Sequence, residues 1–96
     1  MASSKDYLDF VLEQLSDLDG ITYRAMMGEY IIYYNGKIIG GIYDDRFLVK
    51  QTKSSKVLLS ASPLETPYDG AKKMFLIDID NKERLNQVIP LIADEI

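Results

Sequence analysis

Apolar side chains at Leu8, Val11, Leu12, Leu15 and Leu18 recur at helical spacing, while Asp9, Glu13, Gln14 and Asp17 point away from that stripe. Ser4 is placed to cap this first helix. Asp6 follows in its first turn, where a negative charge meets the positive end of the helix dipole. Gly20 is expected to end it, as glycine ends many helices. From Ile21 to Lys50 the pattern changes. Tyrosine and isoleucine crowd together, and such side chains pack well on a pleated surface. The spacing predicts strands at about 22–27, 29–34, 37–43 and 46–50.

Asn35-Gly36 sits between two of these runs and suits a type I′ two-residue turn, because both residues tolerate positive φ. The turn predicts a register: Tyr34 opposite Lys37, Tyr33 opposite Ile38, Ile32 opposite Ile39 and Ile31 opposite Gly40. With Asp44-Asp45 as a second tight turn, one face collects Ile31, Tyr33, Ile38, Ile42, Phe47 and Val49 and is expected to be the core. The other collects Tyr30, Ile32, Tyr34, Lys37, Ile39, Tyr43, Arg46, Leu48 and Lys50, which is too apolar for a face left wholly to water.

Residues 52–62 read as a short helix with Val57, Leu58 and Leu59 inward, followed by a loop from Leu64 to Ala71 bounded by Pro63, Pro67 and Gly70. Lys73 to Ile79 forms a fifth strand. Asp80 and Glu83 have capping-box spacing and open a last helix with Leu85, Val88, Ile89 and Ile92 inward. Pro90 predicts a kink or break near Gln87. The order is α-β-β-β-β-α-β-α, an α+β fold in which helices pack on an antiparallel sheet, expected as a single domain over residues 1–96.

Composition narrows the chemistry. The 96 residues, 47% hydrophobic and 27% charged, suit one globular core of modest size, so self-association into a homodimer is expected to bury more apolar surface. The sequence has no cysteine and no histidine, which excludes disulfides, thiolate chemistry and a Ser-His-Asp or Cys-His apparatus within one chain. The opening MASSKDYLDF lacks the basic and apolar stretches of a signal peptide, and no apolar run reaches membrane-spanning length; a cytoplasmic location is expected.

Net charge is −4, which argues against tight nucleic-acid binding. Its distribution is uneven: residues 46–64 carry Arg46, Lys50, Lys53 and Lys56 and no acid. This basic strip keeps nucleic-acid contact as an alternative, beside its reading as a solvated face.

Carboxylates are the remaining catalytic or metal-binding candidates. Asp78 and Asp80, with Asp44 and Asp45, could hold a divalent cation through oxygen ligands. Capping and turn roles explain the same positions and are preferred, so no cofactor or metal site is assigned. Gly40-Gly41 in mid-strand reads as a bulge or room for Tyr30 across the strand pair, in preference to a point of ligand approach. Met26-Met27 reads as an adaptable contact surface or as core, with core preferred for one of the two.

The run Arg24-Ala25-Met26-Met27-Gly28-Glu29, the aromatic strand Tyr30–Tyr34 and the turn ending in Gly36-Lys37 resemble the signature of the TfoX N-terminal domain family. The likeness continues through Tyr43-Asp44-Asp45-Arg46 and a strand ending in Lys50, with Tyr68 and Met74–Ile77 where a closing aromatic and strand are expected. Glu29 stands where that family often has a second glycine. The resemblance implies helices packed against a curved antiparallel sheet, similar to type III secretion chaperones. It also implies kinship with competence regulators thought to assist transcription factors.

Together these readings predict a non-enzymatic, stand-alone regulatory or adaptor domain acting through protein contacts, with a transcription factor as one candidate partner. The expected interface is Tyr30, Ile32, Tyr34, Ile39 and Tyr43, with Arg24, Met26, Gly28 and Lys50 as a family-specific cluster.

Overall fold

In a computed structural model, which describes residues 2–96, three two-residue turns fold the chain from Ile21 to Val49 into a meander. They join β1 (Ile21–Met26), β2 (Glu29–Tyr34), β3 (Lys37–Ile42) and β4 (Phe47–Val49). Both central residues of every turn have positive φ: Met27 53° and Gly28 83°, Asn35 51° and Gly36 81°, Asp44 and Asp45 53° each. That is the type I′ pattern, whose twist matches the strands it connects. The Asn-Gly turn falls where the sequence placed it, and Asp44-Asp45 is closed by reciprocal bonds between Tyr43 and Arg46 at 2.9 and 3.0 Å.

The other elements are α1 (Lys5–Gln14), α2 (Lys53–Leu58), β5 (Leu64–Glu65), β6 (Met74–Leu76) and α3 (Lys82–Asp94). The six strands form one antiparallel sheet in the order β1-β2-β3-β4-β6-β5. The expected α+β order holds, with β5 as a two-residue edge strand inside the segment read as a loop.

The register of β2 and β3 differs from the expected one. Tyr34↔Lys37 and Tyr33↔Ile38 pair as predicted, but Ile32 then lies opposite Gly40, Ile31 opposite Gly41 and Tyr30 opposite Ile42. Ile39 is the extra residue of a β-bulge. Gly40 permits it: a Cβ there would stand 2.1 Å from the carbonyl oxygen of Leu48. The slip overturns the predicted faces of β2. Ile32 and Ile39 are fully buried beside Ile42, Phe47 and Val49, and Tyr30 and Tyr34 pack against the same core, whereas Ile31, Tyr33 and Ile38 face away.

That core lies beneath the helices. Leu8 and Val11 reach it from α1, Leu15 from the C-cap of that helix, and Leu85, Val88, Ile89 and Ile92 from α3. Ser4 caps α1 as expected, its Oγ accepting from the Tyr7 N–H at 3.1 Å. The helix stops at Gln14, and Gly20, at φ 92°, serves the approach to β1 instead. The cap of α3 is Asn81 rather than Asp80, accepting from the Arg84 N–H at 3.1 Å. Pro90 sits inside α3, which continues to Asp94 without the break expected near Gln87. In α2, Leu59 is buried and Leu58 half-buried, but Val57 is exposed, correcting its inward assignment.

Among the described residues no helix is long and apolar enough to cross a membrane.

Candidate functional site on the helix-free sheet face

Strand alternation sends one set of side chains away from the helices. Leu48 is fully buried yet stands outside the core cluster, and its cross-strand partners are Gly41 and Leu76. Opposed residues share a face. Ile31, Tyr33, Ile38, Met74 and Leu76 therefore belong with Leu48 on the side that no described helix covers.

Tyr43 folds over this face, because Gly41 leaves the space: a Cβ on Gly41 would lie 2.7 Å from the tyrosine ring. The Tyr68 ring meets it at 6.1 Å and a tilt of 52°. Burial pushes the Tyr43 phenol above the ordinary tyrosine range, with the Tyr68 and Glu29 charges adding to it. Beside this pair lies a cleft of about 480 Å³ lined by Ile38, Gly40, Lys50, Pro67, Lys72 and Met74, among others. Its wall, the segment 66–73, is held at both ends. Arg46 binds the Glu65 carboxylate at 2.6 Å, and the Gln51 amide donates to the Lys73 carbonyl at 2.9 Å.

The nine expected interface residues part company here. Tyr43 and Lys50 meet in the cleft. Ile32 and Ile39 are core, and Tyr30 and Tyr34 lie on the helix side, half-buried. Arg24 and Met26 are exposed on the edge strand β1. Gly28 serves a turn. Ile31 and Tyr33, expected in the core, belong to the outer face, and Lys72 and Lys73 join the cleft without any sequence expectation. A one-residue bulge hid the first two, and the lysines come to the site through loop geometry that has no periodic signal.

The segment around Gly28 has a structural task. The Ser3 N–H donates to the Gly28 carbonyl at 3.0 Å and to Glu29 Oε1 at 2.9 Å. Ser3 Oγ also donates to Glu29 and accepts from the Asp45 N–H at 3.0 Å, while Asp44 N–H reaches Glu29 Oε2 at 3.1 Å. This binds the start of α1 to two of the three turns.

The basic strip of residues 46–64 does not assemble. Arg46 is consumed by Glu65 and the Tyr43 carbonyl, whereas Lys53 and Lys56 ride on α2, which packs on α3. Among the described residues no group of three or more carboxylates is placed to hold a metal ion. Asp78 accepts from the Asp80 N–H at 2.9 Å and so acts in a turn, while Asp45 accepts from the Ser4 N–H at 2.9 Å and ties the start of α1 to the β3–β4 turn.

A model of the TfoX N-terminal domain matches residues 13–88, from within α1 to within α3. The chain belongs to the TfoX N-terminal domain family. It is also similar, at 31% identity over 95 residues, to an uncharacterized 12.7 kDa protein in the trpE 5′ region of Spirochaeta aurantia, covering 97% of this chain and 83% of that protein. The matched span includes every residue of the TfoX-domain cleft, from Ile38 to Met74, and both glycines beneath it.

Proposed function

We propose that this TfoX N-terminal domain is a non-enzymatic regulatory adaptor that docks a protein partner on the helix-free face of its sheet. The observation that carries the reading is the asymmetry of the two faces. The core cluster takes its helical residues from one side of the sheet, and Ile31, Tyr33, Met74 and Leu76, half-buried, stand with exposed Ile38 on the other, where Tyr43 and the 66–73 segment lie. Aromatic and methionine side chains are enriched where proteins meet, since they bury large area at low entropic cost. The absence of histidine and cysteine from the sequence supports a role without covalent or general-base chemistry. A transcription factor remains a candidate partner on the strength of family membership.

The test is site-specific photo-crosslinking in the source cell. A photoreactive side chain at Tyr33 or Ile38 is expected to give one discrete protein adduct, abolished by Ile31→Asp. The same probe at Asp6 on α1 is expected to give none. Equal adducts from both faces, no adduct from the sheet, or an adduct to nucleic acid would each defeat the reading.

A further inference from the structure

We infer that the cleft between Tyr43, Tyr68 and Lys72 is a receptor for an acidic segment of a partner protein, anchored by one apolar or aromatic side chain; this rests on the reading that a protein docks on this face. The charge of the cleft points there. Lys50, Lys72 and Lys73 line it, no carboxylate does, and none of the three is in an ion pair among the described residues. A chain of net charge −4 thus gathers three lysines without ion-pair partners around one depression, with Asp69 the one acid of its 66–73 wall.

The depression fits a side chain. Its volume of about 480 Å³ is lined by Ile38, Gly40, Met74, Pro67 and the paired tyrosines. The segment opposite the sheet is pinned through Arg46–Glu65 and Gln51–Lys73, so little ordering remains to oppose binding.

A small free anion is a poor fit. Lys72 and Lys73 are exposed, and single ion pairs with exposed lysines are weak. A peptide combines several such pairs with the burial of an anchor. Nucleic acid fits less well, since three lysines release few counterions and the body of the protein is acidic. A second copy of this face would set the same lysines against one another.

The experiment uses the whole chain and a short fluorescein-labelled peptide alternating glutamate with leucine and phenylalanine. Matched probes replace every glutamate by glutamine, or are single-stranded oligonucleotides. Anisotropy should show binding of the acidic peptide that weakens with salt, and roughly tenfold or more loss in the Lys72→Glu/Lys73→Glu double variant and in Tyr68→Ala. Amide shifts should centre on Ile38, Tyr43, Lys50 and residues 67–74, and Lys5→Glu on α1 should bind as the parent does.

Equal binding of the glutamine peptide, tighter binding of the oligonucleotide, unchanged affinity in the lysine variant, or shifts confined to the helices would overturn the inference. The photo-crosslink separates it from the broader reading. An adduct at Tyr33 that survives Lys72→Glu/Lys73→Glu removes the acidic anchor and leaves the face; no adduct at Tyr33 removes both.

Discussion

Tyr43 lies across Gly41, so closely that a methyl group on Gly41 would stand 2.7 Å from the tyrosine ring and 2.8 Å from the Tyr30 carbonyl oxygen. Gly41→Ala is therefore expected to cost about 1–3 kcal/mol, the range for overfilling a packed site, and to tilt Tyr43 out of the cleft. Gly40→Ala should be worse. Its Cβ would meet the Leu48 carbonyl oxygen at 2.1 Å and the Val49 Cα at 2.9 Å, both backbone atoms that cannot swing aside. Urea denaturation of the two variants should rank them in that order. The reverse order would mean that the bulge does not depend on close approach of β3 and β4.

The same two glycines mark the boundary of what the sequence makes legible. Asn35-Gly36 announces its turn because few residue pairs accept two positive φ values, and Ser4 announces a cap because its oxygen can reach a free N–H. Strand existence, helix stripes and element order follow from such local rules. A bulge does not. It depends on how near Gly40 comes to Leu48, a distance set by a strand several residues downstream, and one inserted residue reverses the faces of everything beyond it. That is why Ile32 and Ile39 are core while Ile31 and Tyr33 face out. Likewise the cap of α3 is Asn81, one residue beyond Asp80: the Asn81 side chain accepts the Arg84 N–H, while the Asp80 N–H is tied to Asp78 in the preceding turn. The cleft needed the tertiary path of residues 66–73, which loop composition alone does not encode.

Glu29 unites Ser3, Asp44 and, through Ser3, Asp45. Both of its oxygens are used as acceptors, so Glu29→Gln must present an amide N–H₂ to one donor that needs an oxygen. A loss of about 1–2 kcal/mol is expected, discounted from the fully buried case because the site is partly exposed. Hydrogen exchange should show Ser3 or Asp44 amides opening faster while Leu85 and Val88 in α3 stay protected. Unchanged exchange at all four would show that the N-terminal tie contributes nothing.

Ser55 is fully buried at the start of α2, where its Oγ accepts from the Thr52 N–H at 2.7 Å and donates to the Lys50 carbonyl at 2.8 Å. Ser55→Ala leaves two backbone groups without partners, at a cost of about 1–3 kcal/mol. Ser54, its neighbour, gives its hydroxyl to the Glu95 carboxylate at an exposed position. Ser54→Ala should cost less, because water replaces that bond. The Ser54 hydroxyl and N–H together hold the Glu95 carboxyl below the usual range, so the Ser54→Ala variant should also titrate Glu95 at higher pH in carbon-detected NMR. Equal urea midpoints for the two alanine variants would contradict the burial argument.

Alkaline pH probes the covered tyrosine. Burial raises the Tyr43 phenol above its ordinary 10.0, so the native state favours the neutral form more than the unfolded chain does. The sign follows from linkage: this contribution is complete below the unfolded value, near 10, and is lost as pH climbs through the raised native value. Tyr7, also raised by burial, adds in the same direction. Stability measured in urea should hold steady up to about pH 9.5 and fall beyond it. Lysines titrate in the same window, so the informative quantity is the difference between the parent and Tyr43→Phe. The variant has no phenol to ionise and should fall less steeply above about pH 10. Parallel curves would place the Tyr43 hydroxyl in water, and with it the mouth of the cleft, against the packing of its ring over Gly41.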